Sequence, residues 1–267
     1  MGINRMKEAT TKGDSLFIPF ITAGDPTADA TVEIALSLQE AGASILELGI
    51  PYSDPLADGP TIQAASKRAL ENGMTLEKAL HLVPKMRERG LTIPVVIFTY
   101  FNPLLQYGEE RFTAQAEDLG IDGILVPDLP FEESEQLAAL CNKHNLSLIS
   151  LVAPTSKQRI VKIAKKAQGF LYCVSSLGVT GARSELDPRV YEFLQTVRES
   201  SHVPIAVGFG ISTKEQVNVM KEHADGVVVG SALVSTIGSL QDKLTKTESR
   251  PEALNEIKTF VTSLISS

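Results

Sequence analysis

Eight short runs of β-branched and aliphatic residues, at 16–22, 44–48, 94–99, 123–126, 147–152, 170–174, 205–208 and 226–229, alternate with longer segments of helical periodicity. No other feature restricts the fold so strongly. Strand, helix, strand in succession gives parallel pairing through a crossover helix. A closed barrel of eight such units takes about 250 residues as one domain, which suits the 267 residues here. The fold class expected is α/β: a (β/α)8 TIM barrel, one domain over 1–267, with additional N-terminal and C-terminal helices. The competitor, an open doubly wound sheet, carries G-x-G-x-x-G after its first strand. Ala23-Gly24-Asp25-Pro26 stands there instead.

The intervening segments support the alternation. Segment 31–39 sets Val32, Ala35, Leu36 and Leu38 on or beside one stripe, and 132–143 does the same with Leu137, Leu140 and Cys141. Gly42, Gly90 and Gly120 close helical segments. The first dozen residues read as a short helix under the barrel floor, and 252–265 as a closing helix. Two connections exceed a minimal turn, 49–60 after the second run and 175–188 after the sixth. Loops that follow strands line the active face of a barrel, so both are candidates for chemistry or a lid.

Composition narrows the partners. Hydrophobic residues make up 43% and the net charge is −7, which permits a packed core and gives no support for a basic nucleic-acid surface. No apolar run reaches the roughly 18 residues of a membrane span. Met1-Gly2-Ile3-Asn4-Arg5-Met6 begins no secretory h-region, and Met6 falls where myristoylation needs Ser or Thr. Cys141 and Cys173 form no C-x-x-C and read as reduced thiols. The expected location is cytoplasmic.

Glu47 stands near the end of the second run, in Ile45-Leu46-Glu47-Leu48-Gly49. A barrel strand buries both faces, so a carboxylate there must be solvated, paired or used. It reads either as a satisfied structural carboxylate or rim residue, or as an acid/base with a pKa raised by apolar neighbours. Prolines and glycines in the following loop restrict Asp54 and Asp58. Asp58, just ahead of Pro60, could equally be an ordinary helix cap. Late in the chain Gly178-Val179-Thr180-Gly181, Gly208-Phe209-Gly210-Ile211 and Gly230-Ser231 follow the last three strands. Glycines that admit close backbone approach, beside a helix N-terminus, suit a phosphate. The alternative is a set of tight turns.

Other chemistries lack their residues. No lysine lies in or at the end of a strand run, the four histidines do not gather at strand ends, and no G-x-S-x-G occurs. Neither a Schiff-base nucleophile nor a metal site is expected.

Leu46-Glu47-Leu48-Gly49-Ile50-Pro51-Tyr52-Ser53-Asp54-Pro55-Leu56-Ala57-Asp58-Gly59-Pro60 closely resembles the signature of tryptophan synthase α subunits. Phe20-Ile21-Thr22-Ala23-Gly24-Asp25-Pro26, Val126-Pro127-Asp128-Leu129-Pro130 and the three glycine sites match that family in order. Tyr52 stands where many members carry Phe, and the match is looser around 98–102. The resemblance implies retro-aldol cleavage of indole-3-glycerol phosphate, with Glu47 and Asp58 catalytic. It implies Phe20, Phe98, Tyr100, Tyr172, Phe209 and Ile211 around the indole, and Thr180, Gly181, Gly210, Gly230 and Ser231 at the substrate and its phosphate. A β subunit in an αββα heterotetramer is implied as well. Asp54 and Thr180 would lie on gating loops, and pyridoxal phosphate would belong to the partner, with no cofactor in this chain. A stand-alone lyase and a non-catalytic phosphate-binding regulatory subunit remain as alternatives, the second predicting a damaged acid pair. A sugar-phosphate isomerase on the same scaffold would lack the 46–60 signature.

Overall fold

The computed structural model describes residues 2–11, 13, 15–174, 188–208 and 210–266. All eight runs are strands: β1 Leu16–Thr22, β2 Leu46–Gly49, β3 Val95–Phe98, β4 Gly123–Leu125, β5 Ser147–Val152, β6 Leu171–Val174, β7 Ile205–Gly208 and β8 Gly226–Val229. They pair in parallel in chain order, and β1 closes on β8. The barrel expected from the alternation is therefore present.

β2, β3 and β6 begin one or two residues later than expected, and side chains clamp three of the strand junctions. Ser44 precedes β2, yet its N–H donates to Phe17 O at 2.8 Å and its hydroxyl accepts from Phe17 N at 3.2 Å. Asp122 does the same for Val95 ahead of β4, and Asp225 for Ile205 ahead of β8. At these three places a side chain takes over the end of the ladder and satisfies an amide that would otherwise be buried unpaired.

Alternation along each strand sorts the core into two layers. Leu16, Ile18, Ile45, Val96, Leu125, Ile149, Phe170, Ala206 and Val228 pack together inside the barrel. Residues of the opposite parity, such as Ile21, Leu46, Leu48, Ile97 and Val207, pack outward against the helices. The helix Gly2–Thr11 does close the floor, since its Met6 joins the interior cluster. Arg5 on that helix reaches Asp122 at 2.7 Å and Gly120 O at 2.9 Å.

The helix expected at 31–39 runs Ala28–Glu40, capped by the Thr27 hydroxyl accepting from Ala30 N. Gly42, which follows it, has φ +102, a conformation that an L side chain would strain. The helix expected at 132–143 runs Glu135–Lys143. The Ser134 hydroxyl donates to Phe131 O at 2.8 Å and sets apart a 3-10 turn over Phe131–Glu133. The closing helix, Arg250–Ile265, packs on Ala28–Glu40 through residues such as Ile257 and Val261. Among the described residues no helix is long and apolar enough to cross a membrane.

Candidate active site

At the C-terminal end of the strands the barrel opens into a cavity of about 280 Å³. Glu47 lies on its wall. Register places Glu47 between Phe20 of β1 and Val96 of β3, on the inward face. The residue is 1% exposed, and its Oε1 has no hydrogen-bond partner among the described residues. Loss of water therefore acts unopposed, and burial pushes its pKa up to about 8. The alternative of a satisfied structural carboxylate is not what the structure shows.

Tyr172 of β6 lines the same cavity. Burial, and next to it the Glu47 charge, hold its phenol well above the ordinary range. Gly208 on β7 makes room for it, since a Cβ there would lie 2.5 Å from the Tyr172 hydroxyl. Gly208→Ala is expected to push Tyr172 into the cavity and to cost about 1–3 kcal/mol by overpacking. Urea unfolding and a structure of the variant would check this, and an unmoved Tyr172 with unchanged stability would refute it.

Asp58 reaches the cavity from the loop after β2. It does not cap the helix Pro60–Glu71: the N-cap is Gly59, which offers no side chain, and Pro60 opens the first turn. The capping alternative fails, and the carboxylate is free for another use. Burial raises its pKa, and a hydrogen bond with Tyr100 opposes the rise. The helix behind it is anchored by Arg68, which donates to both oxygens of buried Asp25 at 2.7 and 2.9 Å. Asp54 is exposed and accepts from the Ser53 hydroxyl at 2.6 Å.

The opposite wall carries the glycines. Gly208, Gly210, Gly230 and Ser231 line the cavity, and Ser231–Ser239 is a helix whose N-terminus opens there. Its first amides and its dipole favour an anion. Gly210 has φ +61, which fits the need for glycine at that turn. Phe20 and Phe98 meet edge to face at 5.4 Å and form an aromatic wall.

Two expected wall residues lie elsewhere. Tyr100 is not on the cavity lining, and its hydroxyl accepts from Ala57 N at 3.0 Å. Ile211 packs in the outer layer between strands and helices. Thr180, Gly181 and Phe209 lie outside the described residues. Sequence reasoning missed Ile62, Pro127, Leu151, Val174 and Val228, which complete the lining. Leu151 and Val228 share the inward parity of Ile149 and Gly226, a signal that could have found them. Among the described residues no group of three or more His, Cys, Asp or Glu could hold a metal ion.

The sequence model of the family described as tryptophan synthase alpha chain matches residues 6–262. The tryptophan synthase alpha chain of Halalkalibacterium halodurans is 67% identical over 265 residues, spanning 99% of this chain and 100% of that one. That of Shouchella clausii is 66% identical over 98% of this chain and 97% of its own. Among solved structures, tryptophan synthase subunit alpha from Legionella pneumophila superposes with a TM-score of 0.86. It is 35% identical and covers 98% of this chain and 95% of that one. A chain of the tryptophan synthase a2b2 complex from Pyrococcus furiosus gives 0.84 at 40% identity, covering 95% and 98%.

Proposed function

Since the chain belongs to the tryptophan synthase alpha chain family, we propose that it cleaves indole-3-glycerol phosphate into indole and glyceraldehyde 3-phosphate, acting as one domain. The observation that carries the chemistry is Glu47: an inward carboxyl whose Oε1 has no partner among the described residues, its pKa raised by burial to about 8. A carboxyl in that state can give up a proton and then take one back.

Indole C3 is a poor leaving carbon until it is protonated. The Glu47 carboxyl delivers its proton there and leaves a carboxylate, while positive charge develops on the ring nitrogen. Asp58 accepts a hydrogen bond from indole N1–H and stabilises that charge. The Glu47 carboxylate then removes the proton of the adjacent chain hydroxyl. The oxygen closes to an aldehyde, the carbon–carbon bond breaks, and its electron pair returns to the ring. Indole and glyceraldehyde 3-phosphate leave, and Glu47 again holds its proton. Phe20 and Phe98 would flank the ring, with Tyr172 beside Glu47. The phosphate would rest on amides around Gly210, Gly230 and Ser231, with Gly181 as a further donor. Thr180 and Phe209 are proposed as additional substrate contacts, and Ile211 as support behind Gly210.

The partner is a β subunit, in the α2β2 arrangement of the Pyrococcus furiosus complex. Leu56 is 82% exposed and Leu105 55%. Both follow strands on the cavity side of the barrel, as an apolar docking face would require. The loops carrying Asp54 and Thr180 would gate passage of indole. Pyridoxal phosphate would be held by the β subunit, and the steps assigned to this chain use its own carboxylates. A cytoplasmic location agrees with this biosynthetic role.

The test follows indole release from indole-3-glycerol phosphate by the purified chain, with and without a β subunit. Asp58→Asn is expected to lower kcat about 10²- to 10³-fold, the usual loss for one aligned electrostatic partner of a transition state. The β subunit should accelerate the wild type. No release under any condition would sink the catalytic reading.

A further inference from the structure

Resting on the role just given to Asp58, we propose that Tyr100 is a positioning residue whose hydroxyl aims the Asp58 carboxylate, not a wall of the indole pocket. A wall needs only the ring. Here the ring is 2% exposed and absent from the cavity lining, and the hydroxyl bonds to the catalytic loop. A phenol has one hydrogen to donate and lone pairs to accept. Its oxygen accepts from Ala57 N–H at 3.0 Å. Its hydrogen is thereby left to turn toward the carboxylate of the next residue, Asp58, whose ionised form such a donor favours. One oxygen atom thus fixes Ala57 and is placed to aim its neighbour Asp58.

That oxygen is itself held in place. The Tyr100 ring meets Phe98 edge to face at 6.4 Å and lies against Tyr52 at 5.4 Å. Phe101 N–H, the next amide along, donates to Asp128 Oδ1 at 2.8 Å. Asn102 Nδ2 donates to the Tyr52 hydroxyl at 3.0 Å, so the near end of the loop is tied to the same short stretch. The loop after β2 is clasped by the segment after β3 at Tyr52 and again at Ala57. Among the described residues, the other ionisable groups sharing this space are Glu47 and Tyr172 on the cavity wall, Tyr52 against the Tyr100 ring and Asp128 behind it.

The test compares pH profiles of kcat and kcat/KM for indole release by the wild type, Tyr100→Phe, a chain carrying 3-fluorotyrosine at 100, and Asp58→Asn. The hydrogen bond from Tyr100 favours the ionised carboxylate, and ionised Asp58 is the working form. Tyr100→Phe is therefore expected to lower kcat about tenfold or more and to move the acid limb to higher pH. The fluorinated phenol is a stronger donor in an unchanged shape, so it folds as the wild type does and should move that limb to lower pH. Opposite movements are what a merely structural tyrosine would not produce. Wild-type kcat and an unmoved limb in Tyr100→Phe would overturn the proposal, as would an unmoved or upward limb with the fluorotyrosine if Tyr100→Phe does not fold. Full activity of Asp58→Asn would instead overturn the underlying role of Asp58, whatever Tyr100 does.

Discussion

Glu47→Gln is expected to abolish indole release while making the folded chain more stable at alkaline pH. The loss should reach about 10³-fold or more, because the residue gives and then takes the proton on which the cleavage depends. The stability gain follows from burial. In the folded chain the carboxyl titrates at about 8, against 4.5 without burial. Between those values the unfolded chain has released a proton that the folded chain still holds, so stability falls as pH rises through the window. Below 4.5 both states are protonated and nothing is lost. At about 1.4 kcal/mol per pH unit, the window from 4.5 to about 8 amounts to at most on the order of 5 kcal/mol. Gln does not titrate, so the advantage of the variant should be absent near pH 4, grow toward pH 8 and level off above it. Urea unfolding at stepped pH measures it. A difference that stays constant with pH would refute the buried, partnerless carboxyl. The wild-type rate should fall as pH rises through about 8, since the proton needed at indole C3 is then missing.

Glu47 is also the site residue most legible in the sequence. A carboxylate among Ile45, Leu46 and Leu48 is conspicuous because a barrel strand offers it no water, and strand parity alone turns it inward. Tyr100, placed at the pocket by the family resemblance, lies beyond the reach of that parity. β3 stops at Phe98 and the chain turns into the helix Phe101–Tyr107, where a period of two no longer applies. Asp58 could not be separated from a helix cap by spacing, since the distinction depends on Gly59 taking the N-cap. Ile62 reaches the cavity from a helix, and only tertiary packing reveals it. The clamps at Ser44, Asp122 and Asp225 are hidden for a related reason. Each bonds a strand start about 20 to 30 residues away, and no local pattern marks the partner.

Asp122→Ala is expected to be as damaging to the fold as Glu47→Gln is helpful, although both carboxylates are buried. Asp122 is fully buried at the opposite end of the barrel. Its Oδ1 accepts from Arg5 Nε at 2.7 Å, and its Oδ2 from Arg87 Nη2 at 2.7 Å and Val95 N at 2.8 Å. Removing it strands two guanidiniums and a strand amide in a poorly solvated floor. Breaking a buried ion pair from one side costs about 3–5 kcal/mol. Arg5→Ala should cost less, about 1–2 kcal/mol, because Arg87 and Val95 keep their carboxylate while only the helix Gly2–Thr11 loses its tie. Urea midpoints would rank the two variants. The rate of indole release per folded molecule should stay at the wild-type value in both, since the floor is a barrel's length from Glu47 and chemistry sits at the strand C-termini. The rank order depends on how many partners each carboxylate has. Where three donors meet one carboxylate, they oppose the cost of burial, and deletion leaves them without their acceptor. Where Glu47 Oε1 meets none among the described residues, the fold is weakened by the same desolvation that keeps the catalytic proton in place. If Asp122→Ala proved neutral, or lowered turnover without lowering stability, this division between a floor that holds the barrel and a mouth that works would be wrong.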